Sequence, residues 1–181
     1  MKFKSIERHS KVKFDTEIRN AKQTDIDDFV NTWATYTINK ILTTGDFDYS
    51  LFRWDKIINS SLTIGFQHKC FCAVTGSRID GMLAVRKNDR FHIDFIATAP
   101  WNYNYGKMRG IGEGLIYYTI KMSTYVGLNG EFILNALPKA EKFYENIGMV
   151  QTGLINSEGL KEYFMSKDNA SIFENEFIVN N

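Results

Sequence analysis

The chain has 181 residues, 44% apolar and 14% aromatic, enough for a packed core in one domain of ordinary size. Lys and Arg number 22 against 21 Asp and Glu, so the broad positive excess of a nucleic-acid footprint is missing and no such partner is expected. No run approaches the ~20 apolar residues of a membrane span, and no apolar stretch follows the N-terminal charges as a secretory leader requires.

The first residues are basic: Lys2, Lys4, Arg8, Lys11 and Lys13 against Glu7. Residues 1–14 read as a solvated, partly mobile segment, with a local basic patch left open. Residues 16–19, "TEIR", read as a short opening strand. "KQTDIDDFVNTWATYTINKIL" then has the spacing of a helix, with Thr24 as its cap and Asp25, Asp27 and Asp28 in the first turn. Ile26, Phe29, Val30 and Trp33 mark its buried face. Residues 43–66 lack a clean period, although "SLFRWDKIINSSLT" admits a second helix.

From residue 69 the pattern is that of strands. "KCFCAVT", "RIDGMLAVRK" and "RFHIDFIATA", separated by "GS" and "ND", read as an antiparallel meander ended by Pro100. Cys70 and Cys72 share one face of the first of these, poorly placed to bridge each other. A lone C-x-C is too little for zinc. No metal site is expected, and two reduced core cysteines suit a cytoplasmic protein. After the loop "WNYNYGKM", a helix carries Ile111, Leu115, Tyr118 and Met122 along one stripe and closes at Gly127. "EFILNA" is a strand. "PKAEKFYENIGM" is a helix with Ala140, Phe143, Tyr144 and Ile147 on one face and Gly148 as its C-terminal cap. "LKEYFMSK" is a last strand, and in the tail 168–181 the apolar Ile172, Phe173, Phe177 and Ile178 suggest packing on the domain.

The run "MRGIGEGLIYY" sets Gly110, Gly112 and Gly114 at alternate positions where a helix begins, although each glycine costs about 1 kcal/mol against alanine inside one. Bare backbone at a helix N-terminus suits phosphate, because the N–H groups there are unpaired and the dipole is positive. Arg109 adds a fixed positive charge. The dinucleotide pattern G-x-G-x-x-G fails at Leu115, and no G-K-[ST] ends a Walker loop. A helix packed tightly on a sheet would account for one glycine, or two.

Arg109–Gly114 is R-x-x-G-x-G, which resembles the acetyl-CoA loop Q/R-x-x-G-x-G/A of the GNAT N-acetyltransferase superfamily. "IDFIATAP" resembles that family's fourth strand, "KAEKFYENIGM" its A-x-x-F-Y-x-x-x-G-F/M helix, and "EIRNAKQTDIDDFV" its opening strand and first helix. The resemblance covers roughly residues 15–167. It implies an α/β (α+β) fold: a mixed, mostly antiparallel central sheet flanked by helices, with splayed fourth and fifth strands admitting the pantetheine arm. It implies acetyl-CoA as co-substrate, its pyrophosphate on Arg109, Gly110, Ile111, Gly112, Glu113 and Gly114. By the same resemblance Tyr144 is the acid toward the CoA sulfur and Asp94 a base through water, with His92 a weaker alternative. Backbone N–H groups near Ile96 to Thr98 face the developing oxyanion, and Asn135 reaches the pantetheine. Plainer readings stand beside these: a packing tyrosine at 144, an ion-paired strand aspartate at 94, a strand-ending Asn135. One departure is clear. Eight residues separate Pro100 from Arg109, where many relatives have only a few.

The expected activity is direct acetyl transfer to a primary amine of a small molecule or protein. The rivals are a non-catalytic acyl-CoA sensor and acetylation of aminoacyl-tRNA. An acceptor pocket would draw on Trp33, Tyr36, Phe47, Tyr49, Trp54, Trp101, Tyr103 and Tyr105. Asp46, Asp48 and Asp55 would attract a cation, or are solvated acids. A homodimer is left open.

Overall fold

The N-terminal segment is a strand, not a loose basic tail. In the computed structural model, which describes residues 1–44, 52–63, 68–102 and 108–180, β1 (Lys2–Glu7) pairs antiparallel with β2 (Lys13–Asn20). Alternation turns Phe3 and Ser5 inward and Lys2 and Lys4 outward. The Ser5 and Thr16 hydroxyls hydrogen-bond at 2.6 Å, and Thr16 meets Thr75 of the next strand at 2.9 Å. A hydroxyl ladder thus lies buried under a basic surface, which is why composition concealed the strand.

The first helical stretch divides into α1 (Thr24–Asp28), a π-helical turn (Phe29–Ala34) and α2 (Thr35–Thr44). The wide turn changes the buried face to every fourth residue: Asp25, Phe29, Trp33 and Thr37 are buried, while Val30 is 46% exposed. Thr35 Oγ1 donates five residues back to the Val30 carbonyl at 3.1 Å, as a π-turn allows. Thr24 does not cap α1. The Asp25 carboxylate instead accepts from the Lys22 N–H at 2.7 Å and from both terminal nitrogens of Arg19 at 2.7 and 2.8 Å. Burial pushes the Asp25 carboxyl upward, but these donors outweigh it and hold it below the usual carboxylate range.

Next come α3 (Trp54–Ser61), β3 (His68–Thr75), β4 (Arg78–Lys87) and β5 (Phe91–Thr98), agreeing with the meander and with the second helix. A 3₁₀ turn (Pro100–Asn102) follows β5, then β6 (Met108–Arg109), α4 (Ile111–Tyr125), β7 (Phe132–Ala136), a 3₁₀ turn (Pro138–Ala140), α5 (Glu141–Asn146), β8 (Val150–Ile155), β9 (Lys161–Met165) and α6 (Lys167–Asn180). The chain forms two compact units, Met1–Ala84 with Phe95–Gly112, and Val85–Asp94 with Glu113–Asn181.

In the first unit the strand order is β6-β1-β2-β3-β4-β5. Its core gathers Phe29, Trp33, Trp54, Ile58, Cys72 and Met82, and Trp33 Nε1 donates to the Ile79 carbonyl at 3.0 Å. Cys70 and Cys72 are buried thiols that do not bridge each other, as expected. In the second unit β5 pairs in parallel with β7, and β7 antiparallel with β9, which carries β8 at the edge. The β5–β7 register runs only through His92↔Ile133 and Ile93↔Leu134, so the pairing ends before either strand does. Most strand pairs in both units are antiparallel, and helices flank the sheet.

The C-terminal tail is the helix α6, with Phe173 and Phe177 buried and Phe177 stacked on Tyr117 of α4 at 4.6 Å. Ile172 and Ile178 face outward instead. On α4 the buried positions are Ile111, Gly114, Leu115, Ile116, Thr119, Ile120 and Ser123, while Tyr118 and Met122 are half-buried. Among the described residues no helix is long and apolar enough to cross a membrane.

Candidate active site

The three alternate glycines do three different things. Gly110 has φ +84°, which only glycine adopts freely, and a Cβ there would stand 3.6 Å from the Lys4 carbonyl oxygen of β1. Gly114 is buried one turn into α4. Gly112 is half-buried in the first turn, where the amide N–H groups have no helical partners. The positive φ explains Gly110 and Gly114 sits in buried space, which leaves Gly112 with bare backbone at a helix N-terminus. Glu113 is half-buried in the same turn, and the Ile111 side chain is buried.

Arg109 lies in β6, opposite Ile6 of β1, while Met108 is opposite Glu7. Its side chain is exposed and Met108 is buried. β6 stands at the opposite end of the first unit's strand order from β5, on which Ile96 and Thr98 are both half-buried.

In the second unit Tyr144 is 6% exposed on α5, its ring tilted against Tyr163 at 6.1 Å. Burial pushes its phenol well above the usual tyrosine value. Tyr163 is itself fully buried and donates to Glu145 Oε1 at 3.0 Å; burial first, then that hydrogen bond, raises it to about 12. Asn135 is the one exposed residue of β7. Asp94 is ion-paired with Arg86 at 2.7 Å, matching its plainer reading. His92 shares its side of β5; burial, then Arg86, lowers its imidazole below the ordinary histidine range, leaving it neutral near pH 7.

No protein-family model and no curated protein matches the sequence. Solved structures do. The PaiA N-acetyltransferase of Thermoplasma acidophilum, in complex with coenzyme A, matches at TM-score 0.59 and 13% identity over 83% of this chain and 98% of its own. A putative GNAT-family acetyltransferase from Desulfovibrio desulfuricans matches at TM-score 0.61 and 12% identity over 84% and 99%. The spermidine N-acetyltransferase of Vibrio cholerae, in complex with CoA and spermine, matches at TM-score 0.58 and 16% identity over 86% and 98%. The fold is that of the GNAT acetyltransferases. At these identities the likeness is one of architecture, and residue roles rest on the local chemistry.

On this GNAT fold the aromatics expected at an acceptor pocket divide. Trp33 and Trp54 are core residues, at most 3% exposed. Tyr36 is 40% exposed and meets the half-buried Trp101 edge-on at 5.9 Å. Asp55 is ion-paired with Arg53. Asp46, Phe47, Asp48, Tyr49, Tyr103 and Tyr105 lie outside the described residues. One cluster had no motif to announce it. Asp80, fully buried on β4, accepts from Arg78 Nε and Nη2 at 2.8 and 3.0 Å, Trp101 Nε1 at 2.9 Å and Asn102 Nδ2 at 3.3 Å. The one signal in the sequence was an aspartate amid apolar strand residues.

Proposed function

We propose that the protein is an acetyl-CoA-dependent N-acetyltransferase that acylates a primary amine of a small molecule or protein. The observation that carries this reading is Gly112, half-buried in the first turn of the 15-residue helix α4 on a GNAT fold. Unpaired N–H groups and the positive end of the dipole suit the pyrophosphate, with no Cβ to block its approach. Arg109, Gly110, Ile111, Glu113 and Gly114 complete the loop. The coenzyme A in the Thermoplasma and Vibrio structures supports the same ligand class here.

Acetyl-CoA supplies an activated thioester. The amine nitrogen bonds to the acetyl carbon, the carbon–sulfur bond breaks, and one proton moves from nitrogen while another reaches sulfur. Backbone N–H groups around Ile96 to Thr98 face the charge that develops on oxygen. Asn135 orients the pantetheine arm. Tyr144, kept neutral by burial, offers its hydroxyl to the departing sulfur. Asp94 is the proton acceptor, with Arg86 fixing the carboxylate and the neutral His92 as the weaker alternative.

The Asp94–Arg86 pair also favours a second reading, an acyl-CoA sensor without turnover, since that carboxylate already has a partner. Mass spectrometry of the protein as purified, then incubation with acetyl-CoA and a panel of amines, separates the two. Copurified or retained acyl-CoA with amine-dependent release of free thiol supports the enzyme. Retention without thiol release supports the sensor, and neither overturns both.

A further inference from the structure

The backbone that leads into α4 is tied down from a distance, and the tie runs through one amide side chain. Asn102 Oδ1 accepts the Met108 N–H at 3.1 Å, closing the chain between residues 102 and 108. The other end of that amide is fixed as well. Asn102 Nδ2 donates to Asp80 Oδ1 at 3.3 Å and to the Asp80 carbonyl at 3.4 Å, a carbonyl that also accepts the Ala99 N–H at 2.8 Å. Asn102 is 8% exposed and Asp80 fully buried. Met108 then pairs with Glu7 and Arg109 with Ile6, which delivers Gly110 onto β1 at the mouth of the helix.

We propose that Asp80 and Asn102 are positioning residues that fix the backbone at 108–110 and so present the first turn of α4 to the phosphates. A carboxylate can only accept, so Asp80 compels the amide to turn its N–H₂ inward and its oxygen toward Met108. The consequence for CoA rests on the proposed function. The clamp on the backbone does not.

The two claims are read separately, by hydrogen exchange at the Met108 amide and by calorimetric titration of CoA. Asn102→Ala is expected to speed exchange at Met108 and weaken CoA binding, each roughly tenfold, as the loss of one hydrogen bond implies. Arg78→Met is the control: it strips two donors from the same buried carboxylate but leaves the link to Met108 intact. It is expected to lower the melting temperature at least as far, with Met108 exchange and CoA affinity unchanged. If Asn102→Ala does not fold, Asn102→Asp replaces it; this variant keeps the acceptor but repels Asp80, and should speed exchange likewise. Unchanged exchange at Met108 overturns the clamp. Faster exchange with unchanged CoA affinity overturns its positioning role. A wild-type protein that takes up no CoA overturns the proposed function, and exchange alone then decides the clamp.

Discussion

Tyr144 is buried away from bulk water, and that decides what its hydroxyl does. A phenol raised above its ordinary value stays neutral and holds its proton tightly. In the proposed reaction it acts as a hydrogen-bond donor that stabilises negative charge building on sulfur. Tyr144→Phe keeps the ring and its contact with Tyr163 while removing the hydroxyl. Steady-state kinetics should show kcat lower by roughly 10²–10⁴ with CoA affinity nearly intact. A change within a factor of about three, below that range, would make Tyr144 a packing residue. His92 makes a second prediction at this scale. Its folded value is depressed, so its full contribution to stability is present above the unfolded value of about 6.5. Below that pH the unfolded chain takes up a proton that the folded chain resists, and stability falls until the folded value is passed. Melting temperatures between pH 7 and 5 should therefore fall in the wild type and fall less in His92→Asn. Equal slopes would mean that burial does not perturb His92.

At the scale of elements, legibility followed length and period. The strands β3, β4 and β5 and the helix α4 are long and apolar, so their patterns stood out. β1 did not, because Lys2 and Lys4 dominate its composition and its inward residues are Phe3 and a serine whose buried hydroxyl meets Thr16 of β2. β8 was invisible for another reason: all six residues are exposed and Gly153 takes φ +87°, so no alternation exists to be read. The π-turn could not be foreseen from an assumed period of 3.6, which wrongly placed Val30 on the buried face. The candidate site divides the same way. The glycine run is local and carried its own signal. Asp80, Trp101 and Asn102 meet only because the fold returns residue 101 to the start of β4. Phe3→Ala tests whether β1 is integral. It should cost about 3 kcal/mol by denaturant unfolding, as for a buried aromatic. A cost near that of a surface substitution, about 0.5 kcal/mol, would return β1 to the status of an appended strand.

At the scale of the whole molecule, β4, β5 and α4 each run through both compact units. The near balance of 22 basic and 21 acidic residues leaves no general attraction for polyanions. Affinity for a phosphorylated cofactor must then come from a local device, and the first turn of α4 is the one the account relies on. Calorimetric titration of CoA into the wild type and Gly112→Val tests this most directly. Valine is no worse than glycine for helix propensity, so the variant should fold with an unchanged melting profile. The account predicts that the wild type binds CoA and that Gly112→Val binds at least about tenfold more weakly, a loss of about 1.4 kcal/mol. A folded Gly112→Val protein that binds CoA as tightly as the wild type would contradict it.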